Sequence, residues 1–358
     1  MYSRRDFGKL ALSGAALSAL PKARLLAAGG HPAVIESTVR GVKLGVITGG
    51  FGGGGGRGAA PVVGAGPGSA GAAPAAGSPG GGPARGNGLP VPGERDPADV
   101  IIESLLAIGA ANIELSANLY GAPTVTGGAV GGQAPPTVSP EYTQSREALR
   151  QWRLTTPLDR FTEVRRKFDA AGLNLFSYVV TIADDFTDAE IEAVFKQMRA
   201  LGVTIFCTNQ TRVGMGPRIK PFAEKYAIRP AFHTHAQVED PNEVASPASL
   251  QKLLDMSPRF MVNLDIGHFT AGNQDAVAYL RAHHDRITHL HVKDRKRNNG
   301  PSVMWGTGDT PIAECLRAIR DNKWPIYCII ERDNRDEAGS AIELTRKYMD
   351  YMKQVLES

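Results

Sequence analysis

Residues 260–268 read Phe260-Met-Val-Asn-Leu-Asp265-Ile-Gly-His268, and after a helix-like run residues 287–294 read Ile287-Thr-His289-Leu-His291-Val-Lys293-Asp294. Both stretches are apolar runs that end in polar residues. As two parallel strands joined by a helix, they place Asp265, His268, His291 and Asp294 at neighbouring strand ends, where α/β barrels gather catalytic groups. Divalent metals bind carboxylate oxygens and imidazole nitrogens that converge from rigid elements. This region therefore predicts both a fold class and a metal site.

The same alternation of strand and helix runs through the rest of the chain. Its strands are continuously apolar, as in a parallel sheet covered on its outer face. We predict strands at 41–48, 112–116, 173–180, 203–208, 229–235, 260–265, 287–293 and 325–331. Helices are predicted at 96–108, 158–171, 188–201, 219–226, 247–256, before 287, at 311–322 and at 337–356. Eight of each predict a single-domain (β/α)8 TIM barrel over residues 41–357, with a doubly wound open sheet as the alternative.

Two segments rich in glycine and proline, residues 49–95 and 121–140, interrupt this pattern. The first holds 19 of the 41 glycines and almost no large apolar side chain, so its composition predicts a flexible loop insertion. Because both segments follow strands, they would hang over the catalytic rim of the barrel. The alternative for residues 49–95 is a glycine-rich phosphate-binding loop, but such a loop needs a short glycine pattern that leads directly into a helix.

We expect deletion of residues 52–92 to leave the melting temperature almost unchanged. The segment lacks the apolar side chains of a core, and closing a shorter loop changes the free energy little. Thermal denaturation of the shortened and full-length chains tests this. A loss of several degrees would show that the segment packs against the barrel.

The first 30 residues predict a twin-arginine export signal. Ser3-Arg4-Arg5-Asp6-Phe7-Gly8-Lys9 precedes a weakly apolar run that is too short to span a bilayer stably. A short N-terminal helix is the plainer alternative. The signal predicts a periplasmic or secreted protein, and no other stretch predicts stable membrane insertion.

Net charge and cysteine spacing indicate which kinds of binding partner and which cysteine chemistry to expect. A net charge of +4 over 358 residues gives no argument for nucleic acid as a partner. Cys207, Cys315 and Cys328 lie in apolar periodic segments without metal-type spacing, so we predict buried thiols. The sequence leaves homo-oligomerisation open.

Three motifs at the strand ends resemble those of the xylose-isomerase-like barrel superfamily. They are Asp-x-Gly-His at 265–268, His-x-Lys-Asp at 291–294 and Ile-Glu at 330–331. That superfamily holds sugar isomerases and epimerases, inosose dehydratases and endonuclease IV. The resemblance implies that Asp265, His291 and Glu331 bind a divalent metal ion, with Mn, Mg, Co or Zn all open.

One expected ligand is missing. Sugar epimerases of the superfamily have a glutamate at the end of strand 4, where this chain has Thr208-Asn209-Gln210. His235 or His233 on strand 5, or water, could complete the metal shell. An Asp-x-His zinc pair, present beyond strand 7 in endonuclease IV, does not follow Asp294, which argues against a nuclease site.

The remaining polar residues of the rim complete the predicted site. We predict His235, Lys293 and Glu331 as acid or base, and Glu114, His268, Asp294 and Arg295 as substrate-binding residues. For Glu114, orienting a ligand histidine and a plain position on the rim are the alternatives. We place His289 on the opposite strand face from His291 and interpret it as structural. The resemblance implies a metal-dependent isomerase or epimerase of a sugar or polyol that acts through an enediolate. A dehydratase of the same superfamily is the alternative, followed by a nuclease and a non-catalytic sugar-binding barrel.

Overall fold

The computed structural model describes residues 35–48, 95–116, 122–126, 138–332 and 339–358. Within them, eight parallel strands close into a barrel, because the first pairs with both the second and the eighth. The strands are β1 (Val42–Ile47), β2 (Asn112–Ser116), β3 (Asn174–Val179), β4 (Ile205–Thr208), β5 (Arg229–His233), β6 (Met261–Asp265), β7 (Ile287–Val292) and β8 (Tyr327–Ile330). The predicted (β/α)8 TIM barrel is confirmed, and the open sheet is excluded.

The helices of the described residues cover the outside of the barrel, except the short helix Ile266–Ala271, which carries His268 at the rim. They are α1 (Pro97–Ile108), α2 (Pro140–Thr155), α3 (Asp159–Ala170), α4 (Asp188–Ala200), α5 (Gly216–Tyr226), α6 (Pro247–Met256), α7 (Ile266–Ala271), α8 (Ala276–His283), α9 (Ile312–Asn322) and α10 (Ala341–Glu357). The sequence did not predict α2. It begins after Ser139, whose side chain accepts a hydrogen bond from the Tyr142 N–H and caps the helix.

Apolar side chains pack in two separate places. The larger cluster fills the space between strands and helices, as expected for strands buried on both faces. The smaller one fills the lower part of the barrel interior with Phe176, Ile205, Ala231, Met261 and Ile329. Phe176 also stacks on Tyr327, with ring centroids 4.1 Å apart. The lower interior is therefore packed with side chains, and polar side chains lie towards the carboxyl ends of the strands.

Several sequence predictions fall on residues outside the described ranges. These are the export signal over 1–30, nearly all of the 49–95 insertion and most of the 121–140 insertion. The three cysteines are buried and free, as predicted. Among the described residues, no helix combines the length and apolar character needed to cross a membrane.

Candidate active site

Four side chains from neighbouring strand ends meet at the mouth of the barrel. They are His233 at the end of β5, Asp265 at the end of β6, His291 on β7 and Glu331 just after β8. One potential ligand atom of each lies within 4.8 Å of those of the others. Parallel strands bring their carboxyl ends to one rim, so residues far apart in sequence share a site. The structure thus brings together the three residues that the resemblance implied, with His233 as the fourth.

His291 is held between two carboxylates. Its Nε2 lies 2.6 Å from Glu114 Oε1, and its Nδ1 lies 2.8 Å from Glu331 Oε2. Glu114 is completely buried beneath the cluster. Glu114 thus lies against a histidine of the site, which favours the histidine-orienting role over the substrate-binding one.

The placement of His289 on the opposite strand face is wrong. Its Nε2 lies 2.6 Å from Glu114 Oε2, so His289 and His291 reach the same buried carboxylate. The physical reason is that side chains alternate across a strand, so residues two apart point to the same face. His289 is thus part of a buried polar layer directly below the site.

His233 has a defined orientation because of Asn263, which precedes Asp265 by two residues on β6. Its Nδ1 lies 2.6 Å from Asn263 Oδ1, while Asn263 Nδ2 donates to the carbonyl oxygen of His289. An amide oxygen accepts hydrogen bonds, so the proton lies on Nδ1 and the Nε2 lone pair is left for other partners. That Nε2 lies 3.9 Å from Asp265 Oδ2.

Lys293 places a positive charge between the two carboxylates of the cluster. Its Nζ lies 3.0 Å from Asp265 Oδ2, 3.0 Å from Glu331 Oε2 and 3.1 Å from His268 Nε2. Gly267 makes room for this side chain, since a Cβ there would lie 2.4 Å from Lys293 Cγ. The glycine of the Asp-x-Gly-His motif therefore permits the close approach of Lys293.

Burial and charge shift the protonation of the cluster. Burial raises the pKa of Asp265. Burial also acts to raise the pKa of Glu331, but the positive charge of Lys293 and the contact with His291 have a larger effect. They hold the pKa of Glu331 well below its usual range. Burial opposes the charged form of His291, yet Glu114 and Glu331 raise its pKa to about 10.

His235 and His268 form a second group with His233 beside the cluster. The ring centroid of His235 lies 5.0 Å from that of His233 and 5.3 Å from that of His268. The Nδ1 of His268 contacts Arg295 Nη1, and burial together with the charge of Lys293 holds the pKa of His268 well below its usual range. Of these two predicted residues, His235 lies next to the four-residue cluster and does not join it.

Asp294 has a different role from the predicted one. Its carboxylate is buried and accepts hydrogen bonds from the backbone N–H groups of Gly306, Gly308 and Thr310. A Cβ at Gly308 would lie 1.8 Å from Asp294 Oδ1, so only glycine fits there. The substrate-binding prediction for Asp294 is corrected, because both oxygens hold the loop that follows β7. That loop also holds Arg295, which donates to the Gly300 carbonyl oxygen.

The donor set fits a divalent cation. Two imidazoles and two carboxylates are typical ligands for such ions, and they converge from four rigid strand ends. Asp265 Oδ2 is buried without a hydrogen bond of good geometry, although Lys293 Nζ lies 3.0 Å away. The contact of His291 with Glu114 is the carboxylate support that metal-binding histidines usually have. The second group, which consists of His233, His235 and His268, has no carboxylate ligand and lies beside Lys293 and Arg295. A divalent cation is therefore more stable at the four-residue cluster, which has two carboxylates.

Comparison with known proteins agrees with this geometry. Residues 216–355 match the family model of a xylose isomerase-like TIM barrel. This match supports the xylose isomerase-like superfamily, which has epimerase and dehydratase members, and it covers the strands that supply the whole four-residue cluster.

Individual relatives are distant. An inosose dehydratase of Lactiplantibacillus plantarum is 24% identical over 153 residues, which are 37% of this chain and 50% of that protein. The chain thus spans about half the length of the curated relatives it matches. The structure of D-psicose 3-epimerase with D-tagatose from Clostridium cellulolyticum H10 is similar, with a TM-score of 0.51, 15% identity, and coverage of 74% of this chain and 95% of that one. The IOLI protein with a bound zinc atom has a TM-score of 0.51, 13% identity, and coverage of 72% and 91%. These two structures support the barrel fold.

Proposed function

We propose that this protein is a metal-dependent isomerase or epimerase of a sugar or polyol that acts through an enediolate. The observation that carries the proposal is the convergence of His233, Asp265, His291 and Glu331 within 4.8 Å at the barrel mouth. The epimerase and dehydratase members of the superfamily support a small polyhydroxy substrate. The metal would be held by these four residues, and Mn, Mg, Co and Zn all suit the donor set.

The residues of the chain would share the chemistry around that site. When bound, the metal would supply positive charge that polarises a substrate carbonyl. His235 would take the proton from the carbon next to the carbonyl, and the C–H electron pair would enter the new C–C double bond. Lys293 would donate a hydrogen bond to the oxygen that gains negative charge. His268 and Arg295 would contact substrate oxygens from the other side of Lys293.

Two measurements on the purified protein test the proposal. Elemental analysis should find close to one divalent metal ion per chain. Incubation with D-psicose, D-tagatose, D-fructose or an inosose in deuterated water should place deuterium next to the carbonyl of at least one of them. A protein that binds no divalent metal and exchanges no proton with any of these keto compounds would contradict the proposal.

A dehydratase is the second candidate, since the curated relatives are named inosose dehydratase. Both reactions begin with the same proton removal. They differ in the next step, because a dehydratase expels a neighbouring hydroxyl as water whereas an isomerase returns the proton to carbon. Product analysis by NMR separates them, since only elimination removes an oxygen from the substrate.

We predict that His235 transfers the proton, and that the reaction does not use a pair of glutamates on opposite faces of the substrate. Strand β4 ends at Thr208, which is buried and has no acidic group. His235, whose ring centroid lies 5.0 Å from that of His233, is our candidate for this role, because an imidazole can both accept and donate a proton. His235→Asn should lower solvent deuterium exchange at saturating metal by about 10²- to 10⁴-fold. Glu114→Gln is measured separately, because Glu114 contacts the ligand His291 and its loss should act through metal affinity, which saturating metal restores. Wild-type turnover by His235→Asn would move the role to another group or to water.

We propose, from the leader sequence alone, that the protein is exported by the twin-arginine route to the periplasm or beyond. Fractionation of cells that express the full chain should find the processed protein outside the cytoplasm. Arg4→Lys together with Arg5→Lys should retain it inside.

A further inference from the structure

Glu243 lies in the loop between β5 and α6, and the backbone fixes its position. The His235 N–H donates to the Val244 carbonyl oxygen at 2.8 Å, so the loop folds back onto the end of β5. The Glu243 N–H donates to the carbonyl oxygen of Asp240 at 3.0 Å. These bonds bring a carboxylate eight residues further along the chain next to His235.

The contact between Glu243 and His235 is short and buried. Glu243 Oε1 lies 2.5 Å from His235 Nδ1, and the side chains are 9% and 12% exposed. A carboxylate only accepts hydrogen bonds, so the shared proton lies on Nδ1. The other ring nitrogen, Nε2, then has its lone pair on the side of the ring away from Glu243.

Arg212 lies near the Glu243 carboxylate oxygen that does not contact His235. Its Nη1 lies 3.7 Å from Glu243 Oε2, and its Nη2 donates to Asp240 Oδ2 at 2.9 Å. Asp184 Oδ2 also lies 3.8 Å from Arg212 Nε. The guanidinium is thus fixed by several carboxylates, and it gives one oxygen of Glu243 a cationic neighbour while the other faces His235.

We propose that Glu243 is the positioning residue that fixes the Nδ1–H tautomer of His235, so that Nε2 faces the site as the proton acceptor. This rests on the proposed function, in which His235 removes a substrate proton. On transfer, Nε2 gains the proton, the substrate keeps the electron pair, and the new positive charge on the imidazole faces Glu243. The proton then returns from Nε2 to the substrate, or to the departing hydroxyl if the reaction is an elimination. A buried carboxylate that orients a histidine base is a general device for such steps.

Histidine NMR tests the tautomer without requiring any activity. In the full chain labelled with ¹⁵N-histidine and loaded with zinc, the ring signals lost in His235→Asn identify His235 among the eight histidines. The proposal expects the Nδ1–H tautomer in the wild type. An Nε2–H tautomer there would overturn it.

Glu243→Gln is the decisive variant. Its amide oxygen is expected to face Arg212, so its NH₂ group would donate to His235 Nδ1 and move the ring proton to Nε2. We expect kcat for solvent exchange to fall about 100-fold or more, with KM and zinc content unchanged. Glu243→Asp keeps a carboxylate and should recover part of kcat and of the Nδ1–H tautomer.

Glu239→Gln is the matched control, since it makes the same change at an exposed position of the same loop. It should leave kcat and the His235 signals as in the wild type. A Glu243→Gln protein with an unchanged tautomer and unchanged kcat would overturn the proposal. If the wild type exchanges no proton, the proposed function fails, and the NMR result still decides whether Glu243 orients His235.

Discussion

Replacing His291 with Ala should abolish catalysis and sharply lower metal occupancy while the barrel stays folded. His291 is the only imidazole of the four-residue cluster that contacts two carboxylates, Glu114 from below and Glu331 from the side. Loss of an outer-shell partner already costs roughly 10- to 100-fold in metal affinity, and loss of a ligand should cost at least as much. Metal titration of the purified variant, with activity measured alongside, gives both results.

His284→Ala is the control for this variant. His284 follows α8 and stacks on Trp324 with ring centroids 4.5 Å apart. The substitution therefore removes an imidazole that does not contact the four-residue cluster. It should keep full metal content and activity. Circular dichroism and thermal denaturation check that His291→Ala remains folded. Full metal occupancy in the folded His291→Ala protein would remove His291 from the metal shell.

The barrel could be predicted because its strands carry a strong signal. Most strand residues are buried, and each predicted strand overlaps the observed one. The strand ends followed from the same pattern, and a parallel barrel brings them to one rim. This is why the strand pattern alone could place Asp265 and Glu331, which are distant in sequence, in one site.

The rest of the site depends on loop conformation and on the direction of individual side chains. Glu243 lies in an irregular loop, and no sequence pattern indicates that this loop folds back onto His235. Asn263, in contrast to Glu243, could have been found from the sequence. It is a polar residue in a buried strand, two positions before Asp265, and this spacing indicates that both side chains point to the same face. The same two-residue spacing between His289 and His291 shows that they share a face, and here the prediction was wrong.

Helix α2 was missed for a physical reason. Its sequence, Pro-Glu-Tyr-Thr-Gln-Ser-Arg-Glu-Ala-Leu-Arg-Gln-Trp-Arg-Leu-Thr, has few apolar residues, so a search for an apolar stripe finds little. Charged side chains hold it in place instead. Arg146 and Arg153 are buried and reach Glu190 on α4, with Arg150 as a third arginine at the same carboxylate. Glu190 is thus the shared acidic partner of three arginines of α2, and Asp185 is a second partner of Arg146.

Replacing Glu190 with Gln should therefore destabilise the protein strongly. Glu190 is completely buried, and Arg146 donates to both of its oxygens at 2.8 and 3.0 Å. Removing one partner of a buried ion pair leaves uncompensated charge and costs about 3–5 kcal/mol. Urea denaturation of the variant and the wild type measures the difference in the free energy of unfolding. Glu163→Gln is the control, because its pair with Arg166 is exposed and should leave that free energy nearly unchanged.

The effect of Glu190 should also depend on pH. Burial would raise its pKa, but the hydrogen bonds and charge of Arg146 outweigh burial and hold the folded-state pKa below the ordinary value of 4.5. A depressed carboxyl pKa stabilises the folded state above the unfolded-state pKa, and this contribution is lost as the pH falls through the folded-state pKa. The gap in unfolding free energy between wild type and Glu190→Gln should thus be full at neutral pH and shrink below about pH 4.5. A gap that stays constant into acid would show that Glu190 stabilises α2 through packing and not through its charge.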